Sequence, residues 1–229
     1  MEDYDRYTIA RAEMVNEQIA RRGLRNPRLL RALQRVPRHL FLPLALRDHA
    51  YEDRPLPIGM GQTISQPYIV ALMTSLLALE GDEMVLEIGT GSGYQAAVLA
   101  EMARMVHTVE RHEDLANAAR SRLVRLGYYN TQVHCADGSL GWPEAAPYHG
   151  IIVTAAAAHT PEPLLEQLAE GSRLVLPVGD SRGQILQVWT REAGRFETQD
   201  VLPVSFVPLR GKYGWSPEDW QDLGGAAEP

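Results

Sequence analysis

The chain has 229 residues, 45% of them hydrophobic and 22% charged, and its 22 basic and 29 acidic side chains give a formal charge of −7. Those proportions exclude collagen, coiled coil and wholesale disorder, and a chain this long buries roughly 70% of its unfolded surface without staples. The acidic balance argues against gripping nucleic acid by phosphate neutralisation.

No run of about 18 uncharged apolar residues is present to span a membrane. The opening Met1-Glu2-Asp3-Tyr4-Asp5 is acidic and lacks the apolar stretch of a signal segment. One cysteine, Cys135, provides for neither an intrachain disulfide nor a Cys-based zinc site. A cytoplasmic protein acting as a monomer, without nucleic-acid or membrane partners, is expected.

Residues 6–22 read as an amphipathic helix closed by Gly23, and Asn26-Pro27 opens another through about Gln34. Arg21, Arg22, Arg25, Arg28, Arg31, Arg35 and Arg38 fall at spacings that suit a solvated helix face. Pro37, Pro43, Pro55, Pro57, Gly59 and Gly61 mark a loop-like stretch. Helical order returns after Gln66-Pro67, where Ile69, Leu72, Met73, Leu76 and Leu77 repeat with helical period.

From residue 84 strands and helices alternate. Met84–Ile88 is a short buried strand, followed by a glycine loop at 89–93 and a helix through about Ala103. Strands at 106–109, 132–136, 150–155 and 173–178 are interleaved with a helix at 113–126, closed by Gly127, and one opened by Pro161 or Pro163. This alternation predicts an α/β fold with a mostly parallel sheet and helices on both faces. The runs 185–191 and 196–208 have no helix between them and predict an antiparallel hairpin at one sheet edge. Residues 214–229 read as a loosely held tail.

The loop Gly89-Thr90-Gly91-Ser92-Gly93 follows a strand and opens a helix, the context that a nucleotide-type glycine loop requires. Glu110 ends the second strand of this unit, where a carboxylate can accept both hydroxyls of a ribose. Asp137 ends the third, before Gly138, where an acceptor could take an adenine amine; Asp-Gly is also a common turn pair. The loop alone fits NAD, FAD and S-adenosylmethionine. Its G-x-G-x-G spacing, in place of G-x-G-x-x-G, and the second acid favour S-adenosylmethionine, which has no pyrophosphate to cradle.

At this point the sequence resembles the protein-L-isoaspartate (D-aspartate) O-methyltransferases over roughly residues 10–210. The resemblance is carried by RALQRVPRHLF (31–41), VLEIGTGSGYQAAVLA (85–100), HCADGSLGWPEAAPY (134–148) and, most diagnostically, GQTISQPYIVALM (61–73). It implies a Rossmann-like methyltransferase fold with an N-terminal helical segment. Residues 1–79 would shape the acceptor site, 80–210 form the core and 211–229 the tail, all in one compact domain. Ser65 matches the family's active-site serine. Glu87, Gly89, Thr90, Gly91, Ser92, Gly93, Glu110, Asp137 and Gly138 match its cofactor pocket. Two positions depart from the pattern: His149 stands where an acid is frequent, and Gly171-Ser172 replaces a Gly-Gly doublet.

The resemblance implies methylation of the α-carboxyl of L-isoaspartyl residues in damaged proteins, with D-aspartyl residues as an optional further acceptor, S-adenosyl-L-homocysteine as by-product and no metal. An acceptor carboxyl near pKa 4 is already ionised, so no strong base is required. That agrees with the lack of a Ser-His-Asp, HExxH or Cys-His signature. Without the family segment Ser65 would read as a helix N-cap before Pro67. The segments 53–66 and 204–210 are candidates for the peptide groove, with Arg210 as a possible carboxylate partner or a solvated cation. Three competing readings are an aspartate methyltransferase for ribosomal peptides, a non-catalytic adaptor, and an NAD oxidoreductase. The last lacks a Tyr-x-x-x-Lys pair, since Lys212 is the sole lysine.

Overall fold

The structure, a computed structural model, describes residues 2–220. Helix α1 (Glu2–Glu13) is followed by one π-helical turn (Met14–Ile19) and a 3-10 turn (Ala20–Arg22) that ends at Gly23 with φ 97°. The single helix expected at 6–22 is thus three successive windings. The wider turn carries Met14, Val15 and Ile19 into the core. Helix α2 (Pro27–Arg35) begins where the Asn26 side chain accepts the Arg28 and Leu29 amides, with Pro27 at the first position.

Of the seven arginines expected on a solvated helix face, Arg21, Arg22, Arg25, Arg31 and Arg35 are exposed as expected, while Arg28 and Arg38 turn inward. Arg28 donates to the carbonyls of Leu79 and Met102, Arg22 pairs with Asp53 at 2.9 Å and Arg35 with Glu101 at 3.1 Å. Arg38 is fully buried and donates to the Ala50 carbonyl at 2.7 Å. Arg28 thereby ties the N-terminal region to its neighbours, while the ion pairs of Arg22 and Arg35 lie at the surface.

A small hairpin, β1 (Leu56–Gly59) and β2 (Gln62–Ile64), lies inside the Pro/Gly-rich stretch expected to be loop and leads to α3 (Pro67–Leu76). The main sheet then assembles from β3 (Met84–Ile88), β4 (Met105–Glu110), β5 (Thr131–Cys135), β6 (Tyr148–Val153), β7 (Leu168–Asp180), β8 (Gly183–Glu192) and β9 (Arg195–Val204). Its spatial order is β5-β4-β3-β6-β7-β8-β9. The first five of that order are parallel, and β8 and β9 are added antiparallel. The α/β architecture with an antiparallel edge is the one expected.

Helices α4 (Tyr94–Ala100), α5 (Glu113–Arg125) and α6 (Glu162–Glu166) cover the sheet. Residues alternate between two apolar layers: Val85 and Val106 meet Ile19, Leu33, Phe41 and Met73 on one face, while Leu86, Ile88 and Val109 meet Ile151 and Leu164 on the other. The N-terminal region therefore shares a core with the sheet. No described helix is long and apolar enough to cross a membrane.

Two expectations about the C-terminal third are corrected. The strand run 196–208 leaves the sheet at Val204, and Pro208 instead bridges to Ala156, beyond the end of β6. The tail expected to be loose from 214 is held as far as Ser216. The Trp215 amide donates to the Leu209 carbonyl at 2.7 Å, and Arg210 reaches the carbonyls of Trp215 and Ser216. Residues 221–229 lie outside the described residues.

Candidate active site

The chain passes from β3 outward to β4 and β5, then returns to place β6 on the other side of β3. Such a reversal opens a crevice at the carboxyl ends of the strands. Gly89 and Gly91 sit there at φ 95° and 51°, conformations that L side chains rarely adopt. The Thr154 hydroxyl, at the end of β6, donates to the Gly89 carbonyl at 2.7 Å and occupies the space a Cβ on Gly89 would need. A cavity of about 770 Å³ opens over this loop, within the range of about 300–1,000 Å³ typical of ligand sites.

Glu110 lines the cavity and is buried. One of its oxygens accepts the Gly91 amide at 2.9 Å and the other the His112 amide at 3.0 Å. Each oxygen keeps acceptor capacity toward the cavity. Gly138 also lines the wall, packed so closely that a Cβ would stand 2.6 Å from Ile88 Cγ2.

Other predicted residues shape the loop from behind. Glu87 is fully buried. Its Oε2 accepts the Thr108 hydroxyl at 2.5 Å, and that hydroxyl meets the Thr90 hydroxyl at 2.6 Å. Glu87 Oε1 has no partner among the described residues. Burial pushes the Glu87 carboxyl up to about 8, the Thr108 hydrogen bond opposes the rise, and the Glu110 charge adds to it. Glu87 is therefore a neutral acid at neutral pH that braces Thr90. Ser92 is held through its carbonyl by Arg122 at 2.6 Å, and Gly93 starts α4 against Ala119 and Leu123 of α5.

Asp137 is engaged as a turn residue. Its Oδ1 accepts both the amide and the hydroxyl of Ser139, and its Oδ2 accepts the Lys212 amide at 2.7 Å. Gly138, next along the chain, lines the cavity, while the Asp137 carboxylate ties down the C-terminal segment. Arg210 lines the cavity but is committed to the Trp215 and Ser216 carbonyls, so it is not a solvated cation. His149 hydrogen-bonds the Met84 amide, at the opposite ends of the strands, and so does not shape the crevice.

The β1–β2 hairpin forms another wall. Ile58 Cδ1 is in the space beside Gly91, and Gly59-Met60-Gly61 makes the turn, with Met60 at φ 55°. Ser65 follows β2 and is half-buried in the wall. It is not the helix cap: that position is Gln66, which makes no side-chain cap bond. The segment is anchored by Asp53, whose carbonyl accepts the Gln66 side-chain amide at 3.0 Å and whose carboxylate pairs with Arg22. The stretch 203–210 completes the cavity, so the two proposed groove segments line the same space. Phe206 falls within the groove segment 204–210 expected from sequence, whereas Thr154 lies outside every expected site segment. A hydroxyl just after the apolar run Ile151-Ile152-Val153 was the available signal for Thr154.

Comparison with known proteins places this arrangement. The model of the family described as protein-L-isoaspartate(D-aspartate) O-methyltransferase (PCMT) matches residues 10–214. A protein-L-isoaspartate O-methyltransferase of Syntrophus aciditrophicus is 54% identical over 215 residues, covering 93% of this chain and 99% of the relative. That of Geobacter metallireducens is 53% identical over 214 residues, covering 93% and 99%.

Among solved structures, a protein-L-isoaspartate O-methyltransferase has a TM-score of 0.80 at 30% identity, covering 89% of this chain and 67% of its own. A Plasmodium falciparum β-aspartate methyltransferase homologue, solved with S-adenosyl-L-homocysteine, shares the fold at a TM-score of 0.77 and 24% identity, over 87% and 98% of the two chains. The family match spans Ser65, the glycine loop, Glu110 and Asp137, and reaches the segment that Asp137 holds. The chain belongs to the protein-L-isoaspartate(D-aspartate) O-methyltransferase family.

Proposed function

We propose that this protein methylates the α-carboxylate of L-isoaspartyl residues in damaged proteins and peptides, using S-adenosyl-L-methionine and leaving S-adenosyl-L-homocysteine. The observation that carries the reading is a single cavity lined both by Ser65 and by the glycine loop with Glu110. The cavity's size, its bare glycine backbone and its buried acceptor carboxylate fit this cofactor. When bound, the cofactor supplies a methyl carbon made electrophilic by its sulfonium.

Glu110 is assigned to the ribose hydroxyls through the acceptor capacity its oxygens retain. Gly89 and Gly91 are assigned to close backbone contact, and Gly138 to the adenine end. Asp137 shapes that end by fixing the turn and holding Lys212. Glu87, Thr90, Ser92 and Gly93 set the loop's shape.

The acceptor carboxylate is ionised at neutral pH and needs neither a general base nor a metal to become nucleophilic. The chain's task is to orient it and to exclude water, which contributes several kcal/mol to lowering the barrier. Ser65 is assigned to donate a hydrogen bond to that carboxylate. The neighbouring backbone amide nitrogen of the substrate then attacks the methyl ester and expels methanol to close a succinimide without further help, and addition of water reopens the ring in part to normal aspartate. Incubating an isoaspartyl peptide with the protein and cofactor tests this reading. Progressive appearance of the aspartyl isomer by chromatography supports it, and a peptide left unchanged contradicts it.

A further inference from the structure

The segment that closes the cavity has left the sheet, and at Phe206 one side chain takes the place of the strand pairing that has ended. Pairing between β8 and β9 ends at Gln184 opposite Val204. Two residues further on, the Gln184 side-chain amide donates to the Phe206 carbonyl at 3.0 Å, and the Phe206 amide donates to Gln184 Oε1 at 2.7 Å. One carboxamide thereby satisfies both backbone groups of one residue, as a neighbouring strand would. Gln184 is 5% exposed and does not line the cavity, whereas Phe206 does. Just beyond, Ala156 brackets the chain by donating to the Val207 carbonyl and accepting the Leu209 amide, both at 2.8 Å.

We propose that Gln184 is a positioning residue for the peptide acceptor. Its amide clasp sets where Phe206 and the adjoining Ser205 and Val207 stand in the cavity wall, and so sets the affinity for the isoaspartyl peptide without touching it. The inference rests on the methyltransferase reading above. Without the clasp, both backbone groups of Phe206 lose their partners, and the segment between Val204 and the Ala156 bracket gains freedom to re-pair. The glycine loop and Glu110 are held by separate bonds and keep their geometry.

The test compares wild type with Gln184→Glu and Gln184→Met. Glutamate keeps an acceptor for the Phe206 amide and loses the donor to its carbonyl; methionine loses both at similar volume. The clasp predicts a peptide KM raised roughly tenfold or more in Gln184→Met and less in Gln184→Glu, with cofactor Kd within about twofold of wild type. It also predicts faster hydrogen exchange at the Phe206 amide in Gln184→Met. A merely structural role would move thermal stability, cofactor Kd and KM together, and that result overturns the proposal. So does a folded variant with unchanged KM and unchanged Phe206 exchange. If Gln184→Met does not fold, the same readouts on Gln184→Glu decide. Failure of the wild type to methylate the peptide overturns the underlying reading instead, while exchange at Phe206 still reports on the clasp.

Discussion

Glu110 Oε2 lies 2.9 Å from the Gly91 amide, so one carboxylate joins the end of β4 to the tip of the glycine loop. The other oxygen holds the His112 amide at 3.0 Å, which fixes the plane of the carboxylate against the cavity. Charge-assisted bonds of this kind contribute about 1.5–3 kcal/mol each. Glu110→Ala is therefore expected to raise the Kd for S-adenosyl-L-homocysteine by roughly tenfold or more. Unchanged affinity by calorimetry would remove Glu110 from the cofactor site.

Ser65 stands one residue before the cap of α3, and Gln66 occupies the cap itself. Losing a true cap costs about 1 kcal/mol of stability, so Ser65→Ala should unfold at nearly the wild-type temperature. Its methylation rate should fall by roughly tenfold or more, with cofactor affinity within about twofold. Full activity would take Ser65 out of the mechanism. A stability loss matching a missing cap would return it to a structural role.

Glu87 supplies a pH signature. Its carboxyl titrates at about 8 in the folded protein against 4.5 in the reference state. Between those values the native state holds a proton that the unfolded chain has released, so stability falls as pH rises. Glu87→Gln keeps an oxygen acceptor for Thr108 and carries no such proton. The melting temperature of wild type should therefore decline relative to Glu87→Gln between about pH 5 and about pH 8. Parallel melting curves across that interval would show that Glu87 is charged in the native state.

Gly211 has φ 136°, and a Cβ there would collide with the Asp137 carboxylate that holds Lys212. Gly211→Ala should loosen the segment that begins at Arg210. Limited trypsin digestion should then cut after Arg210 and Lys212 about tenfold faster than in wild type, because cleavage follows the population of the opened segment. Equal cutting rates would mean that Asp137 does not retain this segment.

The parts of this fold that were legible in the sequence are those with a local signal. Met84–Ile88 is apolar at every position but Glu87 because β3 is buried on both faces, and the glycines after it mark a turn whose backbone angles they alone adopt readily. The hairpin β1–β2 was not legible: its strands have four and three residues, and their Pro and Gly content reads as loop. The bond from the Lys212 amide to Asp137 is not legible, because the two lie 75 positions apart and no local pattern encodes that pairing. The departure of the chain from β9 at Val204 was missed for the same reason. Val201, Val204, Phe206 and Val207 continue to read as strand, while the bonds that redirect them come from Gln184 and Ala156.

The central claim is that one cavity brings a methyl donor to an isoaspartyl carboxylate. Its most direct test gives the protein methyl-labelled S-adenosyl-L-methionine and two peptides that differ only in Asp against isoAsp. The account predicts base-labile label on the isoaspartyl peptide alone, in an amount that grows with enzyme and time. Equal label on both peptides, or label on neither while the cofactor binds, would contradict it.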